Sequence, residues 1–262
     1  MILLFKLATA PILILALTLL TRRFGPAFGG LAMGIPLVTG PISVFTAIEQ
    51  GPAFAAQAAV GNLVGQVSTC LFCFAYARTA ALGHWVSAIF GVVAFFSATA
   101  LWQLIDWTLP TAIALLVIGL LVLAKAIKAA SGMKLVRLAP RWDLPLRMFI
   151  ASAFVLTITG ATRHLGPQLS GLVAPFPVFV LILAVFTHMH HGSTAAAAMM
   201  RGVILGSLSF ASFFVVVAMG LRSHAIGSTY AAGIFASVTC SGLVYLFLHR
   251  PSRLWPWAPP VG

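Results

Sequence analysis

Charge is what this chain has least of, and negative charge above all. Charged residues are 7% of the 262, and only three of them are acidic against 15 lysines and arginines. Soluble domains carry roughly 25% charged residues, so this chain lacks the side chains for a water-facing surface. There is no nucleophile–base pair, phosphate loop or nucleotide motif, which leaves no basis for an enzyme or for ATP-driven transport by this chain alone. Cysteine is scarce too. Cys70, Cys73 and Cys240 all lie in apolar runs, and Cys70-x-x-Cys73 reads as two small apolar residues one helical turn apart rather than as a redox pair.

What fills the chain instead is apolar: 61% hydrophobic residues and a mean hydropathy of +1.09. A bilayer span needs about 20 apolar residues, and nine segments can be drawn, near 3–20, 28–48, 53–76, 84–105, 108–127, 146–161, 169–187, 194–218 and 226–248. The expectation is an all-α, polytopic membrane protein with about nine transmembrane helices. The first segment carries Lys6 and ends at Thr21-Arg22-Arg23 rather than at a small-residue cleavage site, so it reads as a retained span.

The net charge of +12 is a topology signal, not a nucleic-acid footprint. With nine spans, Arg22, Arg23, Arg78, Lys125, Lys128, Lys134, Arg137, Arg141, Arg147, Arg250 and Arg253 fall on one side, 11 of the 15 basic residues. Lys6, Arg163 and Arg222 fall on the other, with Glu49 and Asp106, and Arg201 lies inside a span. Basic residues stay in the cytoplasm, which places the N-terminus in the periplasm and the C-terminus in the cytoplasm of a bacterial inner-membrane, multi-pass protein.

Residues 6–68 align without a gap onto 147–209, at an offset of 141, with 19 of 63 positions identical. Thr21-Arg22-Arg23-Phe24-Gly25-Pro26 returns as Thr162-Arg163-His164-Leu165-Gly166-Pro167; Pro36 returns as Pro177, and Gly51, Gly61 and Gly65 as Gly192, Gly202 and Gly206. Repeats of this kind reveal architecture before any motif does. The resulting division is repeat one at 1–105, a linking fifth span with its basic loop at 106–145, and repeat two at 146–262. An odd number of spans before the second copy makes it enter the membrane from the opposite face. The chain therefore reads as two inverted four-helix repeats joined by a linking helix, a recurring build of secondary transporters with the site where the repeats meet.

Helix-breaking residues interrupt the second span of both copies: Gly34-Ile35-Pro36-Leu37-Val38-Thr39-Gly40-Pro41 and Ala174-Pro175-Phe176-Pro177. Proline removes a backbone donor, and in lipid the freed carbonyls need a partner or a wet cavity. The breaks are either plain kinks or a substrate lining built from Pro36, Thr39, Gly40, Pro41, Pro175 and Pro177. Gln57, Asn62 and Gln66 stripe the third span, and Arg201 stands in the eighth, where it either snorkels to the surface or offers a fixed positive charge to an anion. Gly61-x-x-x-Gly65 and Gly202-x-x-x-Gly206 read as packing seams where the repeats cross. His188, His190 and His191 make a cluster open to three readings: a solvated loop, a proton relay, or weak candidates for a metal site. No cofactor is expected.

Ser170-Gly171-Leu172-Val173-Ala174-Pro175-Phe176-Pro177-Val178-Phe179, followed by Gly202 and Gly206, resembles the GlpM-type bacterial inner-membrane proteins. Those are four-span proteins about the size of one repeat, linked with alginate production. The resemblance implies a fused tandem of that unit and supplies no catalytic residues. Repeat one departs from it, with Gly34 and Gly40-Pro41 in place of Ala-Pro-Phe-Pro.

Two functions follow as expectations. The first is a secondary transporter of an unidentified small solute, anionic if Arg201 meets it, working by alternating access between the inverted halves. The second is a non-transporting factor supporting envelope polysaccharide or lipid biosynthesis. The partners expected are the lipid bilayer and that solute, with no nucleic acid, and a homo-oligomer is compatible with the sequence.

Overall fold

Inside a bilayer no water can satisfy backbone N–H and C=O groups, so an apolar chain must close its hydrogen bonds within helices or a closed barrel. In the computed structural model, which describes residues 2–37, 39–127, 142–153 and 176–248, the choice is helix throughout, and no strand occurs among the described residues. The helices are α1 (Ile2–Phe24), α2 (Pro26–Met33), α3 (Thr39–Glu49), α4 (Pro52–Thr79), α5 (His84–Trp102), α6 (Leu109–Ala126), α7 (143–153), α8 (Val178–Gly220) and α9 (Ile226–Leu248). Five stretches are long and apolar enough to cross a membrane: α4 with the 3-10 turn that follows it, α5, α6, α8 and α9. The chain is a multi-pass helical membrane protein.

The expected second span, 28–48, is two short helices. α2 stops at Met33 and α3 starts at Thr39, so the break falls on the Gly34–Pro36 stretch. The expected seventh and eighth spans share one 43-residue helix, α8, interrupted at Gly192, whose φ of 83° is closed to residues with a side chain. Gly51, its counterpart at the offset of 141, has φ 92° and stands between α3 and α4. The same positive-φ glycine therefore stands at equivalent positions of the two sequence copies, between the same pair of apolar segments. The second half of the 146–161 segment, the start of the 169–187 segment, Pro175, and the linking basic loop from Lys128 to Arg141 lie outside the described residues.

Local chemistry sets other ends. α6 opens on a capping box in which the Thr108 N–H donates to Thr111 Oγ1 at 3.1 Å, with Pro110 in the first turn, where a missing N–H costs nothing.

α8 is the hub. It packs on α2, α4, α9 and α6, and its buried Leu183, Met199, Ile204 and Phe214 meet Leu63 and Phe72 of α4 in one apolar core. The outward faces of α5, α6 and α9 carry large exposed apolar residues, such as Phe90, Leu121 and Phe235, as lipid contact requires.

Glycine brings α2 and α8 to backbone contact. A Cβ built on Gly30 would overlap Met199 O, one on Gly34 would overlap Gly206, and one on Gly202 would overlap Ala27 O. The expected seam thus forms at Gly202 and Gly206, against Gly30 and Gly34. Gly61 is different: nothing lies within 4 Å of a Cβ there.

Candidate functional site

Two polar centres stand out, one at the crossing of α4 and α8 and one at the end of α1. At the crossing, Gln66 Nε2 donates to Ser207 Oγ at 2.7 Å, and Ser207 Oγ donates in turn to Val203 O at 2.9 Å. Cys70 Sγ lies 3.4 Å from the same hydroxyl. Gln66 and Ser207 occupy equivalent positions in the two copies, 141 residues apart. Interhelical polar contacts of this kind hold membrane helices in register.

The first break packs beside this crossing. Gly34 touches Gly206, and Gly40 stands 3.4 Å from the Phe213 ring when given a Cβ. Pro36 and Gly40 are buried, and Thr39 and Pro41 are partly so. Thr39 Oγ1, at the first residue of α3, is buried and has no hydrogen-bond partner. Arg201, on α8 between Met200 and Gly202, is partly buried, and its Nε likewise has no partner. The remaining candidates lie elsewhere. Gln57 is exposed and Asn62 is half-buried on α4, while Pro177 caps α8 next to Phe176, whose ring meets Phe95 and Phe96 of α5. The first proline break therefore packs on α8, while Phe176, within the described part of the second, packs on α5.

The second centre is built around Asp143, the third acid of the chain, whose side chain is fully buried. Arg22 from the end of α1 donates to Oδ2 at 2.8 Å, Arg147 approaches both oxygens at 3.0 and 3.1 Å, and His190 Nε2 lies 2.9 Å from Oδ1. Arg147 also stands over the Phe186 ring, 4.7 Å from its centroid. Burial pushes the Asp143 carboxyl up, but the Arg147 guanidinium, helped by Arg22 and His190, outweighs it and holds the group below the ordinary carboxylate range. No sequence motif announces this cluster. The available signal was an acid four residues ahead of Arg147 at a helix start, in a chain with only two other acids.

The three clustered histidines do not converge. His188 faces Tyr76, whose hydroxyl is 3.3 Å from Nδ1, and the His84 ring; His190 faces Asp143; His191 lies beside the His190 ring. Among the described residues no three His, Cys, Asp or Glu side chains form a metal-binding group. Tyr230 of α9 donates to Ser43 O of α3 at 2.7 Å, with Ser43 Oγ also at 2.7 Å. Both side chains are buried.

No family model, no curated protein and no solved structure matches this chain.

Proposed function

We propose that the chain is a secondary transporter of a small anionic solute in a bacterial inner membrane, working by alternating access between two inverted four-helix repeats within a nine-span topology. The observation that carries this reading is the meeting of equivalent residues, Gln66 with Ser207, where α4 crosses α8. A contact between equivalent positions is what a two-fold axis between the copies produces.

The sense of the helices supports inversion. Contacts between α2 and α8 climb together, from Ala27 with Gly202 to Gly34 with Gly206, so α2 runs parallel to that part of α8. In consecutive spans α2 runs opposite to α4. Hence α4 and the part of α8 equivalent to it run opposite to each other. The solute site of this reading is the first break, with the unpartnered Thr39 hydroxyl at a helix start beside Gly40 and Phe213; Arg201 stands about 18 Å of helical rise back along α8, on the way to it. A helix N-terminus favours negative charge, and a guanidinium in a span calls for an anion.

Topology gives the direct test. Leu82, the last residue of the 3-10 turn after α4, and Ser223, in the turn after α8, are exposed and 141 positions apart, each following a third span. In a chain freed of Cys70, Cys73 and Cys240, Leu82→Cys should react with an impermeant maleimide from the cytoplasmic face only, and Ser223→Cys from the periplasmic face only. Labelling of both from one face would overturn the inverted arrangement. Transport itself is tested in proteoliposomes with a panel of organic and inorganic anions, with and without a proton gradient. Arg201→Gln is expected to cut flux roughly tenfold or more, the worth of one charge-assisted contact. Absence of flux across the panel would favour the biosynthetic-factor reading that the GlpM-like stretch motivates.

A further inference from the structure

We infer that Asp143 and Tyr230 are the latches of two gates, one at each mouth of the proposed solute path, and that both are closed in this structure. The inference rests on the transporter reading and adds to it the residues that hold each mouth shut. Asp143 is the only place among the described residues where ion pairs form, and it draws on three separate elements: Arg22 ends α1 in repeat one, while Arg147 and His190 belong to α7 and α8 in repeat two. The Arg22 contact therefore ties repeat one to the end of the linking segment, which Arg147 and His190 fasten to repeat two. It sits where α1 ends and just before α8 turns at Gly192, so it ties together chain ends at one membrane face.

The Tyr230–Ser43 contact is the second latch, a direct contact between the copies from α9 to α3. Phe213, whose ring meets Tyr230 and faces Gly40, lies about 30 Å of helical rise along α8 beyond Gly192 and the neighbouring His190, close to the thickness of the hydrocarbon core, so the two bridges serve opposite faces. Thr39 lies in the chain between Arg22 and Ser43, and Ser207, the partner of Gln66, between His190 and Tyr230. The latches differ in build, which gives each a different release. The ionic one keeps an anchor when Arg22 leaves, because Arg147 still neutralises Asp143. The neutral one depends on a single tyrosine hydroxyl, with no charge stranded when it parts. A gate that opens repeatedly needs that property, since stranding a buried charge would be costly.

The experiment uses the full chain in oriented vesicles, freed of its native cysteines, with Thr39→Cys as the reporter and an impermeant maleimide added to one face at a time. With both latches intact, labelling should be slow from either face. Arg22→Gln should speed it about fivefold or more, from the face of Leu82 only, the population shift that loss of one charge-assisted bond supports. Tyr230→Phe should speed it from the face of Ser223 only. Melting temperatures of the variants serve as the folding check, and Arg22→Ala replaces Arg22→Gln if that variant does not survive purification. Unchanged labelling, or an equal rise from both faces, would overturn the gates. Flux with unchanged labelling would leave a transporter without these latches. One-sided labelling without flux would leave the latches and remove the transporter.

Discussion

Gly202→Ala is expected to lower the melting temperature in detergent by about 10 °C, whereas Gly61→Ala, the same change at the equivalent position of the other copy, should leave it unchanged or raise it slightly. A methyl group on Gly202 would run into the Ala27 carbonyl and crowd Leu31 N. These are backbone atoms, so no side chain can rotate away, and α2 must be displaced from α8. Overpacking costs typically 1–3 kcal/mol, and a rigid backbone obstacle places this case near 3 kcal/mol, which corresponds to about 10 °C for a chain of this size. At Gly61 nothing lies within 4 Å of the new methyl, and alanine is the better helix former by about 1 kcal/mol. Thermal unfolding of the two variants side by side checks the prediction. Equal losses would mean that helix packing at the two positions is alike, and would remove the seam from the account of how the first break is held.

The contrast shows how far the amino-acid pattern reaches. The pair of G-x-x-x-G spacings is visible in the sequence, but the spacing alone does not say which glycine is pressed against a neighbour; that depends on what the opposing helix offers. α2 offers Gly30 and Gly34 to Gly202 and Gly206, and nothing described faces Gly61. The helical class, the apolar segments and the break at Gly34–Pro36 follow from composition and from what proline and glycine do to a helix. The positive-φ turns at Gly51 and Gly192 follow from the repeat, because a backbone shape that excludes side chains preserves its glycine in both copies. The partners of polar residues are another matter. Gln66 stood out as polar in an apolar run, yet its partner Ser207 is an ordinary small residue, and a serine in a membrane helix usually bonds to its own backbone. The histidine cluster invited a shared role, but residues at i, i+2 and i+3 leave a helix in different directions, and His188 and His190 accordingly meet Tyr76 and Asp143. Asp143 itself lay in a stretch read for its positive charges, where an acid among arginines looked like part of a loop.

Asp143→Leu is expected to destabilise the protein more than Arg147→Leu, even though each substitution removes the same ion pair. Removing the acid leaves Arg147, only 4% exposed, buried with no anion beside it and with the Arg22 charge close by. Breaking a buried pair in this way costs about 3–5 kcal/mol. Removing Arg147 instead leaves Asp143 with Arg22 at 2.8 Å and His190 at 2.9 Å, so the carboxylate keeps a counter-charge and two hydrogen bonds. The double variant, Asp143→Leu with Arg147→Leu, strands neither group and should be less destabilised than Asp143→Leu alone, since a buried pair exchanged for apolar side chains is often close to neutral. The pH dependence has a definite sign. The folded carboxyl is held below its unfolded value, so its contribution is complete at neutral pH and is lost only as the pH falls below about 4, through the folded value. In Asp143→Leu that acid limb should shrink. Melting curves of the parent and the three variants between pH 3 and 7 would measure both effects, and an Arg147→Leu loss as large as that of Asp143→Leu would mean that Arg22 and His190 do not share the carboxylate.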